Sequence, residues 1–478
     1  MRMFGFGFFA FCFSLFASCA FASDTTIWLR LQGSNTVGAK MAPALAKAFL
    51  EQRGVAEVSI KPTAVENEFL VSGIQNHGNG NHAIGITVAA HGSATGFQAL
   101  AADQADIAMS SRPIKPEERA QLAALGDMES NAAEHAVALD GLAILVSPHN
   151  PVAQLGREQI ARLFSGAVHN WKELGGADVP VTLYARDDRS GTWETFKELV
   201  LGKNYQLSNL AQRFESSDKL SDAVAADRGA IGFSGLASVR KAKALAIADG
   251  DAHSLAPGKL TVATEDYALS RRLFLYTPPQ KNAALAPAFI EFCLGEIGQK
   301  IVAGSGFVSQ NIEVVKQEVG ANAPPSYQQM ADSAQRLSVN FRFKEGNSQL
   351  DNKALRDIER LTGFLRQPEN SGKRVYLVGF SDTEKNEKRD FVISRFRALA
   401  VRAALMQRDV PVFSINGLGA FMPVATNAEI AAAKNGRVEV WIGDSENFAA
   451  VQKPQRDRDR NNHPEHNPPE TARVLTPG

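Results

Sequence analysis

Cysteine is scarce in this sequence: it occurs three times among 478 residues, at Cys12, Cys19 and Cys293. Two of the three lie close to the start of the chain, so a single thiol remains in its body. A scaffold held by disulfides requires pairs of cysteines, and a cysteine-based zinc site requires several thiolates close together. The composition therefore excludes both kinds of protein.

An excess of charge of either sign is also missing. Lysine and arginine total 51, as do aspartate and glutamate, so the formal net charge is zero. Because binding to a phosphate backbone requires a basic surplus, this balance argues against nucleic acid as the main partner. The hydrophobic share of 44% and the charged share of 21% are typical of soluble domains with real cores. At about 150 residues per domain, the length predicts about three structural units.

Motifs of catalysis and of cofactor binding are absent as well. The sequence contains no nucleophile motif, no Walker loop and no dinucleotide fingerprint. His77 and His82 lie in a segment rich in glycine and asparagine, residues 76–82, without an acid or a cysteine at ligand spacing. We therefore predict no catalytic residue, no metal site and no cofactor, and we interpret residues 76–82 as a loop.

Residues 1–22 have the composition of a secretory signal peptide. The apolar run Phe4–Phe16 is too short to span a bilayer. The small residues Ala20 and Ala22 predict cleavage after residue 22, and hence export to the periplasm. Two alternatives remain open: an uncleaved membrane anchor, and lipid attachment at Cys19, which would tether the protein to the outer membrane.

Residues 23–318 alternate short apolar strands with helical patterns. Three times a strand leads through a polar turn into a helix, with the strands beginning near Ile27, Ile84 and Val181. Strands that alternate with helices predict an α/β domain with a largely parallel sheet.

Two further regions follow this domain. Glycine, alanine and proline interrupt the periodicity at 319–333, which we interpret as a linker. A second, smaller unit is predicted at 334–445. Residues 446–478 are rich in proline, asparagine, aspartate and arginine, so we predict a disordered tail.

The smaller unit also combines helices and strands. Apolar residues at helical spacing indicate helices around 350–361 and 392–403, and an apolar run indicates a strand at 374–380. At the end of the unit, Val438, Val440 and Ile442 alternate with polar or aromatic residues, which predicts a half-buried strand.

Three strand-to-helix turns of the larger domain carry paired hydroxyls: Ser34 with Thr36, Ser93 with Thr95, and Ser190 with Thr192. Free N–H groups at a helix start attract anions, and hydroxyls add further donors. Burying a dianion without partners costs on the order of tens of kcal/mol, so several donors must converge on it. Arg186, four residues before Ser190, would add a full charge. The turns therefore indicate an oxyanion site, although each hydroxyl could simply cap its own helix.

The same turns match a known family in sequence and in order. The matching segments are Gly33-Ser34-Asn35-Thr36-Val37, Gly92-Ser93-Ala94-Thr95-Gly96 and Arg186-x-Asp188-x-Ser190-Gly191-Thr192. They resemble the phosphate-binding proteins of the periplasm over about residues 27–315. The resemblance implies a two-lobed, hinged fold that closes over phosphate. It implies donors from Ser34, Asn35, Thr36, Ser93, Arg186, Ser190, Gly191 and Thr192. We interpret Asp188 as a carboxylate that orients a nearby arginine.

The chain departs from this family at Ser111, where relatives often have aspartate. A carboxylate there would accept a hydrogen bond from a protonated phosphate oxygen and would repel sulfate, which carries no proton at neutral pH. A hydroxyl removes that repulsion. We therefore expect this domain to reject sulfate or related oxyanions less strictly than relatives with aspartate do, unless a neighbouring carboxylate such as Asp188 supplies the acceptor.

The smaller unit carries different motifs. They are Gly379-Phe380-Ser381-Asp382, Ser394-Arg395-Phe396-Arg397-Ala398, Gly417-x-Gly419 and Asn435-Gly436-Arg437-Val438-Glu439. They resemble the C-terminal domain of outer membrane protein A, a small βαβαβ-type α/β fold that binds peptidoglycan. The resemblance implies that Asp382 and Arg397 hold the diaminopimelate of the peptide stem, with Asp390 and Arg437 in the same site. A carboxylate suits an ammonium, and a guanidinium forks onto a carboxylate. Alternatively, Asp382 caps a turn and Arg397 lies on a solvated helix face.

Together the two resemblances imply an exported binding protein without enzymatic activity. It would capture phosphate or a similar oxyanion and would be anchored to peptidoglycan. Uptake through an ABC permease and sensing both remain open. Two other classes also remain: a structural envelope protein whose receptor domain no longer binds phosphate, and a hydrolase of phosphorylated cell-wall material, for which the sequence shows no base or nucleophile.

Overall fold

A computed structural model of the chain describes residues 25–77, 80–188, 190–250, 252–281, 284–316, 319, 323–344, 347–382, 386–425 and 434–444. The expected signal peptide and the predicted tail lie outside the described residues. None of the described helices is both long and apolar enough to cross a membrane.

The first lobe contains strands and helices that alternate along the chain. Its elements are β1 (Thr26–Gly33), α1 (Asn35–Gly38), α2 (Met41–Gln52), β2 (Ala56–Pro62), β3 (Glu68–His77), β4 (Gly80–Ala90), α3 (Ser93–Ala101), β5 (Ile107–Ser110) and α4 (Pro116–Gln121). Leu31, Ile86 and Ile107 come from the neighbouring strands β1, β4 and β5 and are fully buried in its core. The apolar strands of the sequence thus form the centre of this lobe.

The second lobe follows along the chain. Its elements are β6 (Glu134–Val146), β7 (Gln154–Gly156), α5 (Arg157–Phe164), β8 (Thr182–Arg186), α6 (Gly191–Phe196), β9 (Gln212–Phe214), α7 (Ser217–Ala226), β10 (Ala230–Gly235), β11 (Lys243–Ala244), β12 (Ala246–Ala248) and α8 (Lys259–Ala263). A π-helical turn, Lys197–Leu201, continues α6. Phe164, Phe196 and Phe233 lie in its core, where the rings of Phe196 and Phe233 stack with centroids 4.0 Å apart.

The chain then returns to the first lobe. The returning elements are β13 (Ser270–Tyr276), α9 (Ala286–Leu294) and α10 (Glu296–Gly304). Cys293 on α9 is a free, fully buried thiol in the core of this lobe, and burial raises the pKa of that thiol. A lone buried cysteine behaves as a small apolar side chain.

Two long strands connect the lobes within one sheet. The strand order is β2-β3-β4-β1-β5-β13-β6-β10-β8-β9, with β11 paired to β6. Residues 134–141 of β6 pair with β13, and residues 142–146 pair with β10. The strand β6 therefore passes from one lobe into the other, with β13 beside it at the crossing.

This sheet is mixed rather than largely parallel, which differs from the expectation. The parallel pairs β4-β1-β5 and β10-β8-β9 lie on either side of antiparallel crossing strands. In the segment expected to be a loop, residues 76–77 and 80–82 instead form the ends of the antiparallel strands β3 and β4, where Asn76 pairs with Asn81. Residues 78 and 79, outside the described residues, connect these strands, and so short a connection requires antiparallel pairing.

A third unit follows the two lobes. Its elements are β14 (Val314–Val315), α11 (Pro325–Ser333), β15 (Gln335–Arg342), α12 (Asn352–Leu365), β16 (Arg374–Gly379), α13 (Glu387–Met406), β17 (Val412–Gly417) and β18 (Arg437–Gly443). Its sheet has the order β14-β15-β18-β16-β17, in which only the pair β16-β17 is parallel among the described strands. Short 3₁₀ turns lie at Ala123–Leu125, Trp171–Leu174, Leu236–Ser238 and Pro368–Asn370.

Both faces of this third sheet are covered. Leu377 and Val440 pack with residues of α12 and α13 on one face. On the opposite face, Trp441 packs with Tyr327 of α11, and the two rings meet edge to face. Part of the predicted linker is therefore a packed helix, and β18, expected to be half buried, is buried at every position.

The third unit also packs against the two lobes through buried charges. Asp266, which follows α8, accepts hydrogen bonds from Arg342 and Asn340 of β15, both at 2.9 Å. Arg336 lies 3.5 Å from the same carboxylate and 3.0 Å from Glu439 of β18. Charges buried this deeply require paired partners, so the contact is specific in its geometry.

A second group of charges lies beside the first. Arg272 of β13 donates to both carboxylate oxygens of Glu265, at 2.5 and 2.9 Å, and lies 2.8 Å from Asp351, the N-cap residue of α12. Lys434 donates to the carbonyl oxygens of Ala268 and Ser270 at 3.3 Å. The third unit is thus joined to a strand that links the two lobes.

Candidate functional sites

The first predicted turn lies at the end of β1. Gly33 has φ +136°, and a Cβ there would stand 2.1 Å from the Met109 carbonyl oxygen, so only glycine fits. The next residue, Ser34, is fully buried and donates its backbone N–H to Met109 at 2.9 Å. Its hydroxyl has no hydrogen-bond partner among the described residues. A buried hydroxyl without a partner is an available donor or acceptor for a ligand.

The second predicted turn brings Ser93 and Ser111 together. The Ser93 hydroxyl accepts a hydrogen bond from the backbone N–H of Ser111 at 3.1 Å, and the two hydroxyl oxygens are 3.3 Å apart. Both residues are buried. The structure therefore places two residues that are distant in sequence in one polar pair.

The third predicted turn meets the first across the lobes. Ser190 caps α6, since its hydroxyl accepts from the backbone N–H of Trp193 at 3.4 Å. A Cβ on Gly191 would stand 2.0 Å from the hydroxyl oxygen of Thr36. Because Thr36 belongs to the first lobe and Gly191 to the second, the absence of a side chain at 191 lets the lobes touch.

A cleft of ≈ 390 Å³ opens at this junction. Its lining includes six of the predicted residues, Asn35, Thr36, Arg186, Ser190, Gly191 and Thr192. The other four, Ser34, Ser93, Ser111 and Asp188, lie outside the lining. The structure thus gathers most of the predicted anion-binding residues in one place.

Sequence analysis missed Arg271, which is outside the lining of the cleft but contacts three lining residues, Thr36, Gly191 and Asp140. Its Nη2 donates to the Thr36 hydroxyl at 3.0 Å and to the Gly191 carbonyl at 3.3 Å, and its Nη1 lies 3.5 Å from the Ser111 carbonyl. Its Nε lies 3.2 Å from Asp140 of β6. One signal in the sequence points to it: Arg271 and Arg272 are adjacent charges in an otherwise apolar strand, and charges in such a strand need partners.

Arg186 lines the cleft but is held by a neighbouring segment. Its Nε donates to the Phe214 carbonyl at 3.1 Å, its Nη2 to the Glu215 carbonyl at 2.6 Å, and its Nη1 to the Ser217 hydroxyl. Burial lowers the pKa of Arg186, an effect that the nearby Asp187 partly offsets. The side chain is therefore already engaged within its own lobe.

Asp188 does not orient Arg186 in this structure. Its side chain is 79% exposed and lies 3.0 Å from Arg213. The arginine that it faces is thus a different one from the arginine of its own motif.

In the third unit, Asp382 and Arg397 lie side by side. Nη2 of Arg397 donates to Asp382 at 3.0 Å, and Nη1 donates to the Phe380 carbonyl at 3.2 Å. A Cβ on Gly436 would stand 2.6 Å from Nη1 of Arg397, so the glycine leaves room for the guanidinium. The Asp382 side chain is 24% exposed, whereas the Arg397 side chain is 6% exposed. The carboxylate is the more accessible member of the pair.

The two other predicted residues of this site are more deeply placed. Asp390 is 2% exposed in the first turn of α13. Arg437 is also 2% exposed; its Nε donates to Glu439 at 3.2 Å, and its guanidinium lies 3.8 Å from the centre of the Phe380 ring. Arg437 therefore belongs to the buried charges between the third unit and the lobes.

No group of residues that could hold a metal ion occurs in the described part of the chain. His82 lies in β4, and the side chain of His77 is outside the described residues.

Comparison with known proteins identifies both parts of the chain. A family model described as a PBP superfamily domain matches residues 50–296. The chain belongs to the PBP superfamily. A model of the OmpA family matches residues 342–437, within the third unit. The predicted architecture of this PBP superfamily chain, a two-lobed unit followed by an OmpA-like unit, is confirmed.

Several known proteins are similar to about half of this chain or slightly more. The phosphate-binding protein PstS of Borreliella burgdorferi is 26% identical over 257 residues, 52% of this chain and 89% of that protein. Protein SphX of Synechococcus elongatus is 31% identical over 240 residues, 48% of this chain and 70% of that protein. Among solved structures, an ABC-type phosphate transport receptor from Vibrio cholerae is 25% identical, with a TM-score of 0.46 over 59% of this chain and 99% of that chain.

Proposed function

We propose that the cleft between the two lobes binds inorganic phosphate or a similar tetrahedral oxyanion. The observation that carries this proposal is the position of Arg271, whose side chain is only 7% exposed and which contacts Thr36 of one lobe and Gly191 of the other. A guanidinium offers several donors in a fork that suits an oxyanion. The relative named as a phosphate-binding protein supports phosphate as the anion.

Arg271 retains the capacity to bind an anion. Its contacts to the carbonyl oxygens of Gly191 and Ser111, at 3.3 and 3.5 Å, are longer than a good hydrogen bond. An anion with full negative charge would be a stronger acceptor than either carbonyl. Hydroxyls and backbone N–H groups of the predicted turns would supply further donors.

Calorimetry of the chain from residue 23 onward, titrated with phosphate, tests this proposal. Replacement Arg271→Ala removes the charged donor, so we expect an affinity loss of about a hundredfold or more. Arg240→Ala is the matched control, because it removes an exposed guanidinium paired with Asp218 and Asp222 on the second lobe. Equal affinities for phosphate in wild type and Arg271→Ala would show that the anion binds elsewhere. A wild-type chain that binds no phosphate would refute the proposal.

We also propose that the OmpA-like unit binds peptidoglycan through Asp382 and Arg397. The support is their direct pairing, with the carboxylate partly open to solvent. Asp382 can accept a hydrogen bond from an ammonium of the peptide stem, and Arg397 can donate to a carboxylate of the stem. Binding in this way would cost the hydrogen bond between the two residues. Asp390 is a further candidate from the sequence. Because Arg437 is buried, it would support the site by packing against Phe380 rather than by contacting peptidoglycan.

Sedimentation with purified sacculi tests the anchoring. Asp382→Ala and Arg397→Ala are each expected to reduce binding by about a hundredfold, because the remaining partner loses its charged mate. Arg395→Ala, an exposed arginine on the same helix, should bind as wild type does. Sedimentation of both site variants at the wild-type level would refute the assignment.

The proposal places the protein in the periplasm as a binding protein, not an enzyme, that serves phosphate uptake or sensing. The basis for export is the composition of residues 1–22. The mass of the mature N-terminus distinguishes cleavage before Ser23 from lipid attachment at Cys19. Phosphate uptake that depends on both this protein and an ABC permease would favour transport over sensing.

A further inference from the structure

The carboxylate of Asp140 lies in the cleft beside Arg271. The two residues are opposite each other in the pairing of β6 and β13. One carboxylate oxygen of Asp140, Oδ2, is 3.2 Å from Nε of Arg271, and the side chain is 12% exposed. The other oxygen makes no hydrogen bond within the described part of the chain. Asp140 also lines the cleft, together with Thr36 and Gly191.

Three other acidic residues line the same cleft, but their surroundings differ. Glu66 and Glu215 are exposed residues. Asp187 is 24% exposed and lies 3.5 Å from Arg186. Asp140 is the most buried of these acidic side chains and the one in contact with Arg271.

We propose that Asp140 determines the specificity of the cleft for protonated tetrahedral oxyanions. On the proposed function, Arg271 and the hydroxyls donate to the anion, whereas the carboxylate of Asp140 can only accept. It accepts the proton that phosphate and arsenate retain at neutral pH. Sulfate has no proton to donate, so its oxygen would face the carboxylate and be repelled. Asp140 thus supplies the acceptor that Ser111 lacks, and the cleft is selective despite the hydroxyl at 111.

A second carboxyl group lies nearby but suits this role less well. An oxygen of Glu194 is 3.9 Å from the position of a Cβ on Gly92, and the residue is absent from the lining of the cleft. Burial raises the pKa of Glu194, an effect that Arg271 partly offsets. Asp140, which lines the cleft and lies 3.2 Å from Arg271, is the better placed acceptor.

Competition calorimetry on the chain from residue 23 onward tests this inference, with phosphate, arsenate and sulfate as probes. Wild type should bind phosphate and arsenate, and about a thousandfold excess of sulfate should leave phosphate binding unchanged. Asp140→Asn keeps the shape and adds an N–H donor, so we expect the ratio of sulfate to phosphate affinity to rise about a hundredfold or more. Glu194→Gln is the matched control and should keep the wild-type ratio.

The outcomes separate this inference from the function on which it rests. A wild-type chain that binds no phosphate overturns both. Phosphate binding that sulfate displaces readily in wild type overturns the inference alone, and this comparison does not depend on the folding of any variant. A loss of selectivity in Glu194→Gln but not in Asp140→Asn also overturns it.

Discussion

At the scale of single residues, the sequence motif points to Arg186, whereas the structure points to Arg271. Arg186 is adjacent in sequence to the Ser190-Gly191-Thr192 turn, so the motif draws attention to it. Arg271 is 80 positions from Gly191, and only the pairing of β6 with β13 brings it there. Motif spacing can identify neighbours along the chain, whereas the two adjacent charges in the apolar strand β13 indicate only that Arg271 needs a partner, not which residues it contacts.

Gly191 allows a test of whether the lobes must touch for binding. A methyl group there would overlap the Thr36 hydroxyl, 2.0 Å from the position of the Cβ. We therefore expect Gly191→Ala to hold the lobes apart and to weaken phosphate binding by about ten- to a hundredfold, since donors misplaced by about 1 Å lose their hydrogen bonds.

The control for this variant is Gly235→Ala in the same cleft. A Cβ at 235 would meet nothing within 4 Å, and its backbone, at φ −64°, suits alanine. Titration calorimetry of both variants decides the matter. Equal affinities in the two variants would mean that the close contact between Thr36 and Gly191 does not matter for the bound state.

At the scale of elements, the sequence predicted the helices and strands that have regularly spaced or continuous apolar residues. The helix α12 was expected from apolar spacing, because Ala354, Ile358 and Leu361 pack on a core. The helix α13 was also expected, but Val392 and Phe396, which predicted it, are exposed, and its Ala398, Val401 and Leu405 pack on the core instead. The strand β16 was expected from its apolar run, and it is buried on both faces. The helix α11 was missed because proline and small residues surround it, although Tyr327 anchors it against Trp441. The ends of β3 and β4 were missed because asparagine and glycine, typical of loops, pair there as strands.

Neighbouring side chains of the strand β13 lie in two different environments, the cleft region and the interface with the third unit. Successive side chains of a strand point to opposite faces. Arg271 accordingly contacts the cleft residues Thr36 and Asp140, whereas Arg272 contacts Glu265 and Asp351 beside the third unit. One strand thus carries an arginine that contacts cleft residues and an arginine of the interface between units.

The helix α13 is tied to the loop after β17 by a single hydroxyl. Ser394 is fully buried; its Oγ accepts from the backbone N–H of Gly419 at 3.0 Å and donates to the Phe391 carbonyl at 2.8 Å. Replacement Ser394→Ala leaves the Gly419 N–H buried without this acceptor. We expect the free energy of unfolding to fall by about 1–3 kcal/mol.

Denaturant unfolding of the chain measures this loss, with Ser348→Ala as the control. Ser348 is exposed and makes no hydrogen bond within the described residues, so its replacement should change stability by less than about 0.5 kcal/mol. If Ser394→Ala is as stable as its control, the Gly419 N–H has found another acceptor and the loop does not depend on Ser394.

At the scale of the whole molecule, the units are not separate modules on a flexible linker. Asp266 and Glu265 follow the second lobe and bind arginines of β15 and β13, between the lobes and the third unit. Composition could not predict this interface, because charged residues on a strand or a loop are usually solvated. The strand β18 belongs to the OmpA-like unit and also takes part in the interface. Its Arg437 donates to Glu439, and the Arg437 guanidinium lies over the ring of Phe380.

This interface should respond to acid. Burial by itself would raise the pKa of Glu265, but Arg272 outweighs it and holds that pKa well below its usual range. The pKa of Asp266 is lowered in the same way by Arg437, Arg342 and Arg336 against the effect of burial. A depressed pKa in the folded state stabilises the protein fully above the unfolded value, about 4.3 for glutamate, and this contribution is lost as the pH falls further.

The variant Glu265→Gln isolates one of these groups. At pH 7 it leaves Arg272 without one charged partner, so we expect its free energy of unfolding to fall by about 1–3 kcal/mol relative to wild type. Below about pH 4 the wild type progressively loses the contribution that the variant already lacks, so the difference should shrink. Denaturant unfolding at several pH values measures this difference, with the exposed Glu117→Gln as a control that should stay near wild type throughout. A difference between wild type and Glu265→Gln that stays constant from pH 7 to pH 3 would show that the ionised carboxylate of Glu265 does not hold the units together.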